Sequence, residues 1–153
     1  MKLLREILYK VEINSVVGNT SLSINKIEFD SRLISDGDMY IAITGVNVDG
    51  HSFISQAIQN GANCIVCEKT PDNKIDGVVY VNVKSSRKAL AIISSNYFDN
   101  PSSKLNLIGV TGTNGKTTIA TLLFDLYTKL EIKSGLISTV KISYDNKNFQ
   151  ANQ

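Results

Sequence analysis

The 153 residues, 42% hydrophobic and 20% charged, fit one ordinary domain or a small domain with part of another. No apolar run approaches the ~20 residues of a membrane span, and Arg5 and Glu6 interrupt the apolar opening a signal peptide would need, so a cytoplasmic chain with no membrane partner is expected. Residues 1–98 hold ten Lys/Arg and ten Asp/Glu, and residues 99–153 six and four, so the net +2 arises in the second stretch; neither stretch carries a basic block or an aromatic-basic stripe, which removes the electrostatic support for a nucleic-acid partner.

The opening MKLLREILYK reads as a short amphipathic helix. In LSINKIEFDS, Leu22, Ile24, Ile27 and Phe29 have strand-like spacing, and Met39 to Ile43 form a compact apolar run bounded by glycines. HSFISQAIQNGA follows as a helix with Phe53, Ile54, Ala57 and Ile58 on one face and Gly61 as its stop. Asp49 and Gly50 read as the cap of that helix, His51 as a residue of its start, and Asp30 with Arg32 as an ion pair that shapes the preceding turn. NCIVCE and VVYVNV read as strands separated by the turn TPDNKIDG. Cys64 and Cys67 stand in a C-x-x-C, open to a redox or metal reading, but three-residue spacing on a strand points them to opposite faces. Two ordinary buried thiols in a reducing compartment are expected. SSRKALAIISSNYF is a helix capped by Ser85 or Ser86, with Ala89, Leu90, Ile93 and Tyr97 on one face.

The polar, proline-marked stretch 99–104 reads as a linker between an α/β domain over 1–98 and a second α/β unit over 105–153. That unit begins as strand LNLIGV, glycine loop, helix 116–130 with Ile119, Leu122, Leu123, Leu126 and Leu130 on one stripe, and a further strand in SGLISTVKISY. A single β-α-β has too few strands for a sheet covered on both faces, so the chain is expected to stop partway through this domain.

The stretch LIGVTGTNGKTT ends like a phosphate-binding loop, yet the common G-x-x-x-x-G-K-[ST] pattern places a glycine where this chain has Val110. The physical requirements are nevertheless met in order: a strand that ends, a turn exposing backbone N–H groups, and a helix whose N-terminus faces an anion. Gly112 and Gly115 can take positive φ and let phosphate oxygens approach, Lys116 can reach terminal phosphates, and the Thr117 hydroxyl can bind Mg²⁺. Chance produces G-x-x-G-K-[ST] in a chain of this length on the order of half a percent of the time, so nucleotide phosphate binding is expected.

GVTGTNGKTT resembles the ATP loop of the Mur ligase family, whose pattern is T-G-T-N-G-K-[ST]. FDSR (29–32) and GDMYIAITGVNVDGHSFISQAIQNGA (37–62) look like the uridine-nucleotide-binding domain that opens the tripeptide-synthetase, or E-type, members. F-type members usually carry Thr in place of Ser31 and more often Ser in place of Thr113, and SGLISTV resembles an E-type strand except that Ser138 replaces the usual glycine. The resemblance covers essentially the whole chain. It implies an N-terminal UDP-substrate-binding α/β domain followed by the start of a P-loop ATP-binding α/β domain.

By that resemblance, Gly112, Thr113, Asn114, Gly115, Lys116, Thr117 and Thr118 hold ATP, with Lys116 catalytic and Thr117 on Mg²⁺; Phe29, Ser31, Val46, Asn47 and Val48 contact the UDP-sugar. Phe29 and Val48 are equally readable as packing residues. The implied reaction is ATP-dependent ligation, in which the D-glutamate γ-carboxylate of UDP-MurNAc-L-Ala-D-Glu becomes an acyl phosphate that the amine of a diamino acid, L-lysine or meso-diaminopimelate, attacks. Positioning and charge neutralisation then supply most of the acceleration. A Mg²⁺-binding glutamate, a carbamylated lysine and the domain receiving the amino acid belong downstream in the family, so this chain is expected to be an N-terminal fragment without complete activity. An F-type fragment, a non-catalytic UDP-substrate or nucleotide-binding module, and another P-loop NTPase remain as alternatives; the last needs a downstream acid that cannot be placed.

Overall fold

A computed structural model of the chain describes residues 1–46, 48–144 and 147–150. It contains two compact units, Met1–Leu105 and Asn106–Gln153. Among the described residues no helix is long and apolar enough to cross a membrane.

The first unit runs β1 (Lys2–Leu3), α1 (Leu4–Ile7), β2 (Ile13–Val17), β3 (Ser23–Ile24), β4 (Ile27–Glu28), β5 (Asp38–Ile41), α2 (Ile54–Gln59), β6 (Ala62–Cys67), β7 (Val79–Val83) and α3 (Ser86–Tyr97). Its five-stranded sheet has the order β2-β7-β6-β5-β4. Strands β4 to β7 are parallel, and β2 closes one edge antiparallel to β7. A parallel sheet is stable when both faces are covered, and its inner strands then read as continuous apolar runs. Alternation along those strands feeds two cores. Met39, Ile41, Cys64, Val66, Val79 and Val81 meet Leu4, Ile7, Ala89 and Ile93 on one side. Tyr40, Ala42, Ile65, Cys67 and Tyr80 meet Ile34, Ile54 and Ala57 on the other. Cys64 and Cys67 therefore lie on opposite faces, free and buried, with burial pushing both thiols up.

Local chemistry sets the boundaries. Ser85 caps α3 by accepting from Lys88 N. Gly61 follows α2 at φ +110°, where a Cβ would come within 2.7 Å of Asp36 Cα. The helix expected to start at His51 begins instead as a 3₁₀ turn, Gly50–Phe53, whose cap is Asp49, and becomes α-helical at Ile54. The single strand expected over 22–29 is broken at Asn25. Asn25 N bonds to Gly37 O and its side-chain amide to Asp36 O, so Ile24 pairs with β1 and Ile27 with β5. The chain start is tied to the end of α3: Lys2 Nζ donates to Asn96 O and to the Asp99 carboxylate, and Asn96 Nδ2 donates to the carbonyls of Ile7 and Tyr9.

The second unit contains α4 (Lys116–Lys129) and an antiparallel sheet, β8 (Gly135–Ile137), β9 (Lys141–Tyr144) and β10 (Lys147–Gln150), ordered β10-β9-β8. Two expectations change here. Residues 105–110 form no strand, and Leu105, Leu107 and Ile108 are all more than half exposed. The strand expected over 134–144 is a hairpin: Ser138 Oγ accepts from Val140 N and Lys141 N and turns the chain back on itself. Closing neighbouring segments through a short turn costs little chain entropy, whereas a parallel strand pairs only across a long crossover. Of the expected β-α-β the first strand is missing, the loop and helix are present, and the second strand is replaced by the hairpin of β8 and β9.

Candidate functional site

Parallel strands β4, β5 and β6 all end on one edge of the sheet, the edge at which open α/β sheets present their ligand loops. Phe29 and Ser31 leave β4 there, and the 44–50 loop leaves the adjacent β5. Phe29 is 62% exposed and Val46 96%, with Val48 also exposed, while Ser31 is 6% exposed. Asn47 lies outside the described residues. The Ser31 hydroxyl sits 3.0 Å from Gln56 Oε1, and the Ser31 carbonyl accepts from Asn60 Nδ2 at 2.8 Å. Its proton is thereby committed to α2, and what the oxygen can offer a ligand is acceptance. Asp30 and Arg32 form the expected pair, with Nε–Oδ1 2.9 Å and Nη2–Oδ2 2.6 Å. The Arg32 side chain, then its backbone N–H, holds the Asp30 carboxyl down at about 2.

On either side of Asn47, the described residues of the 44–50 loop make close backbone contacts. Gly45 N donates to Val48 O and Gly50 N to Ile43 O, both at 2.9 Å. A Cβ on Gly45 would stand 2.8 Å from Val48 O, and one on Gly50 2.7 Å from Ile43 N. Tyr40, buried in the sheet, donates its hydroxyl to Gly50 O at 2.9 Å, and burial followed by the carboxylates of Asp30 and Asp49 raises the phenol. Sequence reading missed Tyr40, Gln56 and the side-chain role of His51. Tyr40 was hidden inside an apolar run, and Gln56 on a helix flank gave no signal.

In the second unit, Gly112 (φ +146°) and Gly115 (φ +75°) form the turn before α4. Gly115 is the helix N-cap and has no side chain, and no other side chain caps the helix. The first-turn N–H groups of this fourteen-residue helix are therefore left for an outside acceptor. Lys116 Nζ folds onto the carbonyls of Gly112 and Thr113, the latter at 3.1 Å. Thr113, Asn114 and Thr118 are exposed, and Thr117 is half-buried in the first turn. These features fit a polyphosphate: open glycines, uncapped amides and one cation. For Mg²⁺ the chain offers the Thr117 hydroxyl; no group of three or more His, Cys, Asp or Glu is placed to hold a metal among the described residues. Two concavities among the described residues contain no expected site residue. One, of about 520 Å³, is lined by Lys2, Arg5, Glu6, Tyr9, Asn96 and Asn100; the other, of about 370 Å³, lies beside Gly18 and Gly77.

Comparison with known proteins places this arrangement. The family model described as "Mur ligase family, catalytic domain" matches residues 23–98. The UDP-N-acetylmuramoyl-L-alanyl-D-glutamate--2,6-diaminopimelate ligase of Cytophaga hutchinsonii is 48% identical over 149 residues, which cover 97% of this chain and 31% of that one. The enzyme of the same name from Clostridium tetani is 45% identical over 139 residues, 90% of this chain and 29% of the relative. The chain thus spans about a third of the length of the curated relatives it matches. Among solved structures, MurF ligase from Thermotoga maritima in complex with ADP is 33% identical with a TM-score of 0.55, covering 69% of this chain and 23% of that one. MurF from Acinetobacter baumannii gives a TM-score of 0.61 over 84% of this chain and 28% of its own, and at 23% identity that likeness speaks to fold alone. With a mixed α/β fold that these ligases share and a sequence that follows diaminopimelate ligases nearly from end to end, the chain belongs to the Mur ligase family.

Proposed function

We propose that this chain is the N-terminal part of an E-type ligase of peptidoglycan precursor synthesis, one that adds 2,6-diaminopimelate to UDP-MurNAc-L-Ala-D-Glu at the expense of ATP. The observation that carries the reading is the 48% identity over 97% of the chain to a ligase of that name. The 33% identity over 69% of the chain to an F-type structure supports the E-type branch over the F-type one. On this reading residues 1–98 bind the UDP-substrate, 99–104 link, and 105–153 open the ATP domain.

ATP supplies the phosphoryl group that activates the D-glutamate γ-carboxylate for attack by the amine of the diamino acid. The chain's own residues bind and orient. Gly112 to Gly115 and the first-turn amides of α4 cradle phosphate oxygens, Lys116 leaves the loop carbonyls to neutralise them, and Thr117 contributes a hydroxyl to Mg²⁺. At the sheet edge, Phe29 and the exposed residues Val46 and Val48, with Asn47, offer contacts to the nucleotide, while Ser31 accepts a hydrogen bond from it.

Calorimetry of the chain with Mg²⁺-ATP and separately with UDP-MurNAc-L-Ala-D-Glu tests both halves. Lys116→Ala is expected to abolish ATP affinity and leave UDP-substrate affinity unchanged. Unchanged ATP affinity in that variant sinks the loop's role; a folded chain that ignores the UDP-substrate sinks the assignment of the sheet edge.

A further inference from the structure

His51 is the chain's only histidine, and its side chain is 11% exposed. Its Nε2 lies 3.0 Å from Glu68 N and 3.4 Å from Lys69 N. Both neighbours are N–H donors, so Nε2 must accept, and the ring proton belongs on Nδ1, 2.7 Å from Asp49 Oδ1. The imidazole is therefore neutral in this geometry and bridges, with fixed polarity, the end of β6 and the loop after β5.

That bridge is one link of a closed circuit. Asp49 Oδ1 also accepts from Thr44 Oγ1 at 3.3 Å. The Thr44 carbonyl accepts from Arg87 Nη2 at 3.3 Å. Ser86, beside Arg87 in the first turn of α3, donates its N–H to Glu68 Oε1 at 2.8 Å, and Glu68 N returns to His51. Tyr40 and Ile43 hold Gly50 from within β5 and its continuation; His51 ties the loop to the neighbouring strand.

We propose that His51 is a positioning residue that fixes the conformation of the 44–50 loop, holding it for ligand through the Nδ1–H tautomer. The role rests on the reading that this loop contacts the UDP-substrate. His51 itself touches backbone and Asp49, and acts through the loop it anchors.

One histidine makes the imidazole ¹⁵N spectrum unambiguous, and it is expected to report the Nδ1–H tautomer. His51→Ala is expected to weaken binding of UDP-MurNAc-L-Ala-D-Glu about tenfold, the worth of roughly one lost hydrogen bond, and to speed amide exchange at Gly45 and Gly50. His51→Gln, whose side-chain oxygen can accept from Glu68 N–H, is expected to recover most of both. An Nε2–H tautomer overturns the assignment. So does a His51→Ala chain that binds and exchanges like the unsubstituted one, or a loss that His51→Gln fails to recover. If the unsubstituted chain binds no UDP-substrate, the substrate reading falls and exchange at Gly45 and Gly50 decides the positioning role: acceleration in His51→Ala upholds it, and unchanged exchange overturns it.

Discussion

Helices α3 and α4 carry similar apolar stripes and end in different circumstances. In α3, Ala89 and Ile93 are buried against the parallel sheet. In α4, Ile119, Leu122, Leu126 and Leu130 remain between 49% and 62% exposed, and the helix buries no residue. Periodicity alone does not separate them. What differs is the surface beneath: the inner strands β5, β6 and β7 supply a broad one for α3, while α4 has the short β8 beside it and residues 105–110 pair with nothing among the described residues. An amphipathic stripe states where a core could form, and a sheet decides whether it does.

The largest expected effect tests this contrast directly. Ile93→Ala should lower unfolding stability by about 2–5 kcal/mol, the cost of a buried aliphatic truncation. Leu126→Ala should stay within about 0.5 kcal/mol, as substitutions at exposed positions do. Urea titrations followed by circular dichroism compare the two, and equal losses would break the distinction. Glycines sharpen it at smaller scale. Gly50→Ala forces a Cβ to 2.7 Å from Ile43 N and 2.8 Å from Ile43 O, at about 1–3 kcal/mol, whereas Gly109→Ala meets nothing within 4 Å and should be nearly silent. A silent Gly50→Ala would mean that the 44–50 loop is not fixed at its base. The smallest effect is electrostatic. Because the Asp30 carboxyl is held down at about 2, its contribution is complete above its unfolded value near 4 and is lost as pH falls towards 2. The difference in unfolding midpoint between the unsubstituted chain and Asp30→Asn should therefore be constant from pH 5 upwards and shrink through that window. A gap of the same size at pH 2 and pH 6 would contradict the Asp30–Arg32 pairing.

The parts of the fold legible in sequence were those set by mainly apolar runs: 39–43, 63–68 and 78–83 overlap three adjacent parallel strands. The failures have local causes. Asn25 diverts its neighbours into two different pairings, and Ser138 supplies a turn inside a run that reads as continuous. The glycine loop was legible because its spacing is contiguous and it leads directly into α4. The circuit around His51 was not, since the three links that close it join residues 17 to 43 positions apart, and no periodicity encodes them.

The tie between the chain start and the end of α3 has a consequence for how the protein is made. Lys2 and Asn96 are 94 residues apart, and Asn96 reaches back 89 residues to Ile7. The segment carrying Leu4, Ile7 and Leu8 shares its core with near neighbours in sequence, Ile24 and Met39, and with distant ones, Ala89 and Ile93 of α3. Those three side chains, buried in the finished molecule, have their cover completed only when nearly the last of the first unit, α3, has been translated. The bonds that join these two distant segments thus close one of the longest loops of the first unit, and that closure waits on the synthesis of α3.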